Sequence, residues 1–361
     1  MIHVVIGTKA QLIKMAPVLK ALQNNGLPYR FVSTGQHRET MDDILDNFKL
    51  DGPDYRLYSG RDITSIMAMA VWSIRILWKT LTRRHEIFGD DHNGIVLVHG
   101  DTFSTLLGAL MARFAGLKLG HVESGLRSFN LCHPFPEEII RLLTFRLAHY
   151  FFCPGPWALS NLVTYPGIKI DTGGNTLADA IKYALDANGI EPVAFPDRPF
   201  GVVTLHRFEN IFSHSTLEKV VDIVERISQN HYLLFILHKP TENKLREFGL
   251  YQRLAQLENV ELRQRYDFFR FIRLIGSAAF IVSDGGSNQE ECYYLGKPVI
   301  LLRKATERRE GLGENCLLSS YNYELFDQFL ANISSYNRSP QAWQNSPSQI
   351  IAETCRQFAQ S

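Results

Sequence analysis

Short, unbroken apolar runs alternate with longer amphipathic stretches along most of this chain. Runs at 2–6, 29–33, 95–99, 118–122 and 149–153 read as strands buried on both faces. The stretches 11–25, 38–48, 63–86, 103–115 and 136–147 between them carry helical spacing. A second series follows, with strands at 200–205, 232–237, 259–262, 279–283 and 298–302 and helices at 215–229, 241–256, 267–276 and 287–295. Strands separated by helices imply βαβ units and parallel sheets. The predicted fold class is therefore α/β, with two Rossmann-like domains of about five strands each facing across a cleft. The break falls in 172–199, which holds Gly173, Gly174, Gly189, Pro192, Pro196 and Pro199. This gives a first domain at 1–172 and a second at 173–347. A helix at 176–187 bridges them, and a C-terminal helix within 348–361 returns to the first.

Composition narrows the picture. At 361 residues the chain exceeds one ordinary core. A net charge of +1 argues against a nucleic-acid surface, while leaving room for a basic pocket that takes a phosphorylated small molecule. The five cysteines are odd in number and scattered, without a Cys-x-x-Cys pair, which points to a reduced, cytoplasmic protein without structural zinc. The chain enters a strand at Ile2, so no leader peptide is expected. No stretch is apolar and long enough to span a bilayer. The segment 66–87 mixes Trp72, Trp78 and aliphatic residues with Arg75, Lys79, Arg83 and Arg84. Its ordinary reading is a crossover helix whose cations snorkel. Its sharper reading is a peripheral contact with the inner face of a membrane. Trp72 and Trp78 lie about 120° apart on a helix, which lets one of them face the core while the other faces out.

Candidate chemistry gathers at the ends of the strands, where open α/β sheets bind their ligands. Glu123 follows the strand at 118–122, and Glu137 and Glu138 open a helix behind Pro136. Asp101 ends the strand at 95–99, as either a helix N-cap or a catalytic group. Gly7-Thr8-Lys9, with Lys14 one turn on, offers helix N–H groups and point charges to an anion. It lacks the dinucleotide fingerprint, which disfavours a nicotinamide cofactor. His206-Arg207 ends the first strand of the second series, suited to acid–base work at the cleft. Gly285-Gly286-Ser287 expose N–H groups suited to a diphosphate, and Glu291 sits one turn into the helix where it reaches a ribose diol. Arg308 lies beyond the next strand, able to clamp a phosphate. There is no Gly-x-Ser-x-Gly elbow, and His121, His133 and His238 are too scattered for a metal site.

Taken in order, Ile13-Lys14-Met15-Ala16-Pro17, Gly35-Gln36-His37-Arg38, His99-Gly100-Asp101-Thr102, Gly120-His121-Val122-Glu123, Pro136-Glu137-Glu138, Gly174-Asn175-Thr176, Thr204-x-His206-Arg207, Gln289-Glu290-Glu291 and Thr306-Glu307-Arg308 resemble the motifs of the non-hydrolysing UDP-N-acetylglucosamine 2-epimerases. The resemblance covers about residues 2–315 and implies a glycosyltransferase-B fold. It implies elimination of UDP after removal of the sugar C2 proton, then re-addition with C2 inverted, without a cofactor. It implies Asp101, Glu123, Glu137, His206 and Arg141 as the catalytic set. It implies Lys14, Phe271, Gly285, Gly286, Glu291 and Arg308 as UDP contacts, to which Lys9, Arg207 and Ser287 are added from their positions. The chain departs from the family pattern at Lys9, Glu39, His238-Lys239-Pro240 and Asp284-Gly285-Gly286-Ser287, around the nucleotide and a regulatory UDP-sugar site. A glycosyltransferase of the same fold is the alternative activity, and a silent UDP-sugar-binding regulator a third. A homodimer and the membrane contact are the partner expectations.

Overall fold

Ile2–Ile6, Ile95–His99 and Phe200–Leu205 are buried at every position, as strands covered on both faces by helices must be. The computed structural model describes residues 1–36, 41–60, 63, 66–131, 135–306, 308–341 and 345–359. Two compact units emerge, Met1–Tyr183 with Trp343–Ser361, and Ala184–Ala342.

The first unit is built on a parallel sheet of seven strands: β1 (Ile2–Ile6), β2 (Tyr29–Ser33), β3 (Tyr55–Arg56), β4 (Ile95–His99), β5 (Lys118–Val122), β6 (Tyr150–Cys153) and β7 (Ile168–Asp171). Its helices are α1 (Lys9–Asn24), α2 (Asp42–Phe48), α3 (Ile66–Thr82), α4 (Arg84–Phe88), α5 (Phe103–Phe114), α6 (Glu137–Leu147), α7 (Pro156–Ser160) and α8 (Leu177–Asp186). The strand order is β3-β2-β1-β4-β5-β6-β7, so successive crossovers reverse direction between β1 and β4.

The second unit carries six parallel strands: β8 (Phe200–Leu205), β9 (Tyr232–Leu237), β10 (Val260–Gln264), β11 (Phe280–Ser283), β12 (Val299–Leu301) and β13 (Cys316–Leu318). Helices α9 (Phe208–Ile211), α10 (His214–Ser228), α11 (Lys239–Glu247), α12 (Tyr251–Ala255), α13 (Phe268–Ser277), α14 (Gly286–Leu295), α15 (Tyr323–Ala331) and α16 (Ile333–Tyr336) surround it. The order β10-β9-β8-β11-β12-β13 puts its reversal between β8 and β11. Helix α17 (Pro347–Ala359) packs on α1 and β1 of the first unit.

Expected and observed elements differ at the edges. β3, β7 and β13 are extra strands beyond the five expected per sheet, all at sheet margins and only partly buried. An edge strand needs no continuous apolar run, so periodicity does not announce it. The helix expected at 241–256 is two helices, broken at Phe248 and Gly249, where Gly249 takes φ +71°. The helix expected at 63–86 ends at Thr82 and resumes at Arg84. The expected helix at 38–48 lies partly outside the described residues and is observed from Asp42.

The units divide between Tyr183 and Ala184, against an expected boundary at 172/173. Most of α8 stays with the first unit because Leu177, Ala178, Ala180 and Ile181 are buried and Asp179 accepts the Ser348 N–H at 2.8 Å. Cys153, Cys292, Cys316 and Cys355 are buried as free thiols. Burial pushes the thiols of Cys153, Cys316 and Cys355 up to about 12, which makes them inert. Among the described residues no helix is long and apolar enough to cross a membrane.

Candidate active site

Both units concentrate charged groups at the carboxyl ends of strands flanking the point where crossover direction reverses, the position at which such sheets leave a crevice for ligands. In the first unit the groups come from β1, β4, β5 and α6.

Asp101 follows β4, yet it is not the cap of α5. Thr102 takes that role, its hydroxyl accepting the Thr105 N–H in a reciprocal box. Asp101 is thereby released, and its Oδ2 accepts from Arg141 Nη2 at 2.5 Å. Arg141, on α6, also donates to Glu138 Oε2 at 3.2 Å. Glu138 is fully buried and holds Arg127 Nε at 2.5 Å and the Ser128 N–H at 3.0 Å. Burial works to raise the Glu138 carboxyl, but the Ser128 N–H and the two guanidinium groups outweigh it and hold it below the ordinary glutamate range.

Glu123 stands at the end of β5 with φ +62°, a left-handed conformation that costs a non-glycine residue on the order of 1–3 kcal/mol and clusters at functional sites. Its Oε1 accepts from Lys14 Nζ at 2.5 Å and from Asn175 Nδ2. Its Oε2 lies 3.6 Å from His99 Nε2. The mutual repulsion expected of the clustered acids is thus cancelled locally, each of Asp101 and Glu123 being matched to a cation. Glu137 opens α6, and its Oε2 is buried with no hydrogen-bond partner among the described residues.

The first turn behaves differently from the sequence reading. The Gly7 and Thr8 N–H groups donate to Gln11 Oε1 at 2.9 and 3.1 Å, and Thr8 caps α1. These N–H groups are consumed by the helix start and not offered to an anion. Gly7 serves packing, since a Cβ there would meet Ser104 Oγ at 1.9 Å. Lys9 pairs with Asp43 of α2.

In the second unit Asp284, at the end of β11, is fully buried and organises the turn after β8. Its carboxylate accepts the backbone N–H of His206 at 3.1 Å and of Arg207 at 3.0 Å, and the Asn210 amide at 2.9 Å. The His206 ring lies 3.5 Å from Asp284 and 5.2 Å, centroid to centroid, from His238. Burial first, then Arg207, Arg265 and Arg303, push the His206 imidazole below its ordinary value, against the pull of Asp284. Three arginines, Arg207, Arg265 and Arg303, thus act on His206 together with Asp284.

Gly285 precedes α14 in the closest quarters, where a Cβ would lie 2.5 Å from Asn288 Oδ1 and 2.6 Å from the His206 ring. Gly286 begins the helix, and Ser287 is exposed. Glu291 accepts from Asn288 Nδ2 at 2.8 Å. Arg308 donates to the buried Glu290 at 2.7 Å, so a phosphate would meet it already oriented by a carboxylate. Phe271 is half-buried on α13. The motif positions His37, Arg38, Glu39, His133 and Glu307 lie outside the described residues.

Asn210, Arg265 and Arg303 are absent from the sequence reading, and Asn175 and Asp284 enter it only as members of motifs without a role of their own. Asp284 and Arg303 had a signal available, since Asp284 directly follows β11 and Arg303 comes two residues after β12, at the same edge as the chosen residues. Asn210 and Arg265 had none.

Two units built on parallel, doubly wound sheets of this kind make up the glycosyltransferase-B type of fold. The profile of the UDP-N-acetylglucosamine 2-epimerase family matches residues 20–345. A UDP-N-acetylglucosamine 2-epimerase of Campylobacter jejuni is 33% identical over 328 residues, covering 86% of this chain and 83% of that protein. The crystal structure of the Neisseria meningitidis UDP-GlcNAc 2-epimerase bound to UDP-GlcNAc superposes with a TM-score of 0.83, at 29% identity and 98% coverage of both chains. That of the Methanocaldococcus jannaschii enzyme in complex with UDP-GlcNAc and UDP gives a TM-score of 0.77, at 25% identity and 98% coverage of both. The chain belongs to the UDP-N-acetylglucosamine 2-epimerase family.

Proposed function

We propose that this enzyme interconverts UDP-GlcNAc and UDP-ManNAc, supplying a precursor for surface polysaccharide. The observation that carries the reading is the pair of separately matched carboxylates in the first unit, Glu123 with Lys14 and Asp101 with Arg141. Epimerisation at C2 needs a group that takes the C2 proton from one face and a group that returns a proton to the other. Asp101, Glu123 and Glu137 are the groups assigned to that work. As the C2–H bond breaks, the electron pair forms a C1–C2 double bond and the C1–O bond to UDP breaks, leaving a glycal and UDP. The reverse addition, with the proton delivered to the opposite face, completes the exchange. Arg141 and Lys14 orient the carboxylates.

In the second unit His206 and Arg207 serve the diphosphate that carries the leaving charge. Gly285, Gly286 and Ser287, with Arg308, bind phosphate oxygens at the start of α14. Glu291 receives the ribose diol, and Phe271 packs on the nucleoside. Lys9, committed to Asp43, is given no substrate contact. The test is incubation with UDP-GlcNAc in deuterated water. Deuterium entering C2 supports elimination, and an intact, unexchanged sugar sinks the reading. A second measurement addresses the nucleotide: Arg308→Ala should weaken UDP by about 1.5–3 kcal/mol, the scale of a charge-assisted hydrogen bond. Calorimetry returning the wild-type affinity would remove Arg308 from the site.

The partner assignment turns on α3. Trp72 is 2% exposed and donates its indole N–H to the Thr34 carbonyl, while Trp78 is 64% exposed. Met67, Val71, Ile74, Trp78 and Leu81, all between 52% and 76% exposed, are spaced 4-3-4-3, the seam of a helix that pairs with another helix. The cations that a membrane contact needs are mostly spent within the chain. Lys79 donates to the Leu57 carbonyl at 2.6 Å, Arg83 pairs with Glu86 at 3.4 Å, and Arg84 donates to the carbonyls of Gly89, Asp91 and Ala115. This supports a second copy of the chain as the occupant, through antiparallel or parallel α3 pairing, in preference to lipid. Ile74→Asp with Trp78→Asp should convert a dimer to a monomer in analytical ultracentrifugation. A wild-type monomer that floats with anionic vesicles would reverse the assignment.

A further inference from the structure

The two carboxylate-bearing turns of the first unit are joined by one buried side chain to which no role has yet been given. His121 lies in β5, opposite Val98 of β4 in the parallel register, and is completely buried. Its Nε2 is 2.8 Å from the carbonyl oxygen of Gly100, the residue directly before Asp101. Its Nδ1 is 2.9 Å from the hydroxyl of Ser124, the residue directly after Glu123. A carbonyl only accepts, so Nε2 carries the proton. In a neutral ring Nδ1 then has a lone pair, and the Ser124 hydroxyl must donate to it. Burial holds the imidazole down at about 4, against the pull of the Gly100 carbonyl, Asp101 and Glu123, so the ring stays neutral at physiological pH.

The surroundings leave this link little freedom. The ring packs against Phe145 at 5.6 Å between centroids. Gly100 has φ +68°, its N–H donates to the Val122 carbonyl at 3.0 Å, and a Cβ at Gly100 would come within 3.3 Å of Glu123 Oε2. The Ser124 N–H is fixed to the Phe152 carbonyl at 2.9 Å. Beside the backbone bond from Gly100 to Val122, the turn that carries Asp101 and the turn that carries Glu123 are tied by one side-chain relay, the Ser124 hydroxyl donating to His121 and His121 to the Gly100 carbonyl.

We propose that His121, locked as the Nε2–H tautomer by the Gly100 carbonyl and held from its other side by the Ser124 hydroxyl, is a positioning residue of the epimerisation, setting the separation of Asp101 and Glu123 without touching the sugar. The proposal rests on the epimerase reading of those two carboxylates. Proton abstraction at one face and return at the other tolerate little error in that separation, and a shift near 1 Å costs on the order of 100-fold in rate. Ser124 is part of the same device. Without its hydroxyl the buried Nδ1 loses its donor, and the ring is tied to the Gly100 carbonyl alone and no longer to the turn that carries Glu123.

His121→Gln keeps a donor toward Gly100 but moves the acceptor away from the Nδ1 position that Ser124 meets, while Ser124→Ala removes only the hydroxyl. In the full-length enzyme both should keep the wild-type melting temperature within a few degrees, KM for UDP-GlcNAc and UDP affinity within about threefold, and lose about 10- to 100-fold in kcat and in C2 exchange. The double variant should be no slower than His121→Gln, because both changes break one link. Either variant with wild-type kcat, a loss confined to KM, or additive losses in the double variant would overturn the proposal. Nitrogen-15 NMR of the wild type at neutral pH reads the tautomer directly. A protonated Nδ1 or a charged ring would overturn the lock whatever the activity. Absence of C2 exchange in the wild type, with the Nε2–H tautomer present, would refute the epimerase reading and with it the role of His121 in turnover.

Discussion

Asp101→Asn and Glu123→Gln should each slow C2 deuterium exchange by about 100- to 10,000-fold, the contribution of a positioned acid or base. Both replacements preserve shape and leave an oxygen to accept from Arg141, or from Lys14 and Asn175. What they remove is the capacity to hold a proton and the charge that matches the cation. A modest fall in melting temperature should accompany each, because the ion pairs are largely shielded from water. Glu137→Gln should lose activity on the same scale with no loss of stability, since Glu137 Oε2 is buried without a partner among the described residues and the wild-type site gains no hydrogen bond from it. Exchange in deuterated water followed by NMR, alongside thermal melts, separates chemistry from folding. Unfolding of all three variants would make the acids structural and remove the catalytic assignment.

The largest effect on stability should come from Glu138. It is fully buried, and Arg127, Arg141 and the Ser128 N–H converge on its carboxylate. Glu138→Ala strands a guanidinium in a desolvated site, at a cost of about 3–5 kcal/mol in urea unfolding at neutral pH. The effect has a pH signature of definite sign. The folded carboxyl is held below its unfolded value: burial opposes this, and the Ser128 N–H with Arg127 and Arg141 overcomes it. Stabilisation by Glu138 is therefore complete above the unfolded glutamate value of about 4.3, and is lost as pH falls through the lower folded value. The gap between wild type and variant should narrow below about pH 4. A gap that widens on acidification would contradict the pairing.

Glu138 also illustrates what was readable beforehand. Its position at the start of α6 followed from Pro136 and the helical spacing beyond it, but its neighbour Glu137 drew the catalytic assignment on resemblance alone. The structure separates the two by burial and partners, Glu138 holding α6 to the 127–128 segment and Glu137 left with one oxygen unbonded among the described residues. Asp101 was legible as a strand-end acid with two readings, and only the identity of the actual cap, Thr102, decided between them. At the first turn Gly7 and Thr8 looked like an anion cradle, and Gln11 fills it.

The alternation of apolar runs and amphipathic stretches determined the two α/β units, because strand and helix periodicities are properties of a few consecutive residues. It also determined that Asp101, Glu123, His206 and Gly285 would stand at the carboxyl ends of strands, since each follows a run within two residues. Partner choice was beyond its reach. Lys14 and Glu123 are 109 residues apart, His206 and Asp284 are 78 apart, and Asp101 and Arg141 are 40 apart. Those distances close only through the order of strands in each sheet, β1 beside β4 and β8 beside β11. The face that α3 leaves uncovered was decided the same way, by which side of the helix the sheet and α5 had already taken. Local preferences act over one or two turns of chain, while ion pairing and burial depend on neighbours that only the completed packing supplies.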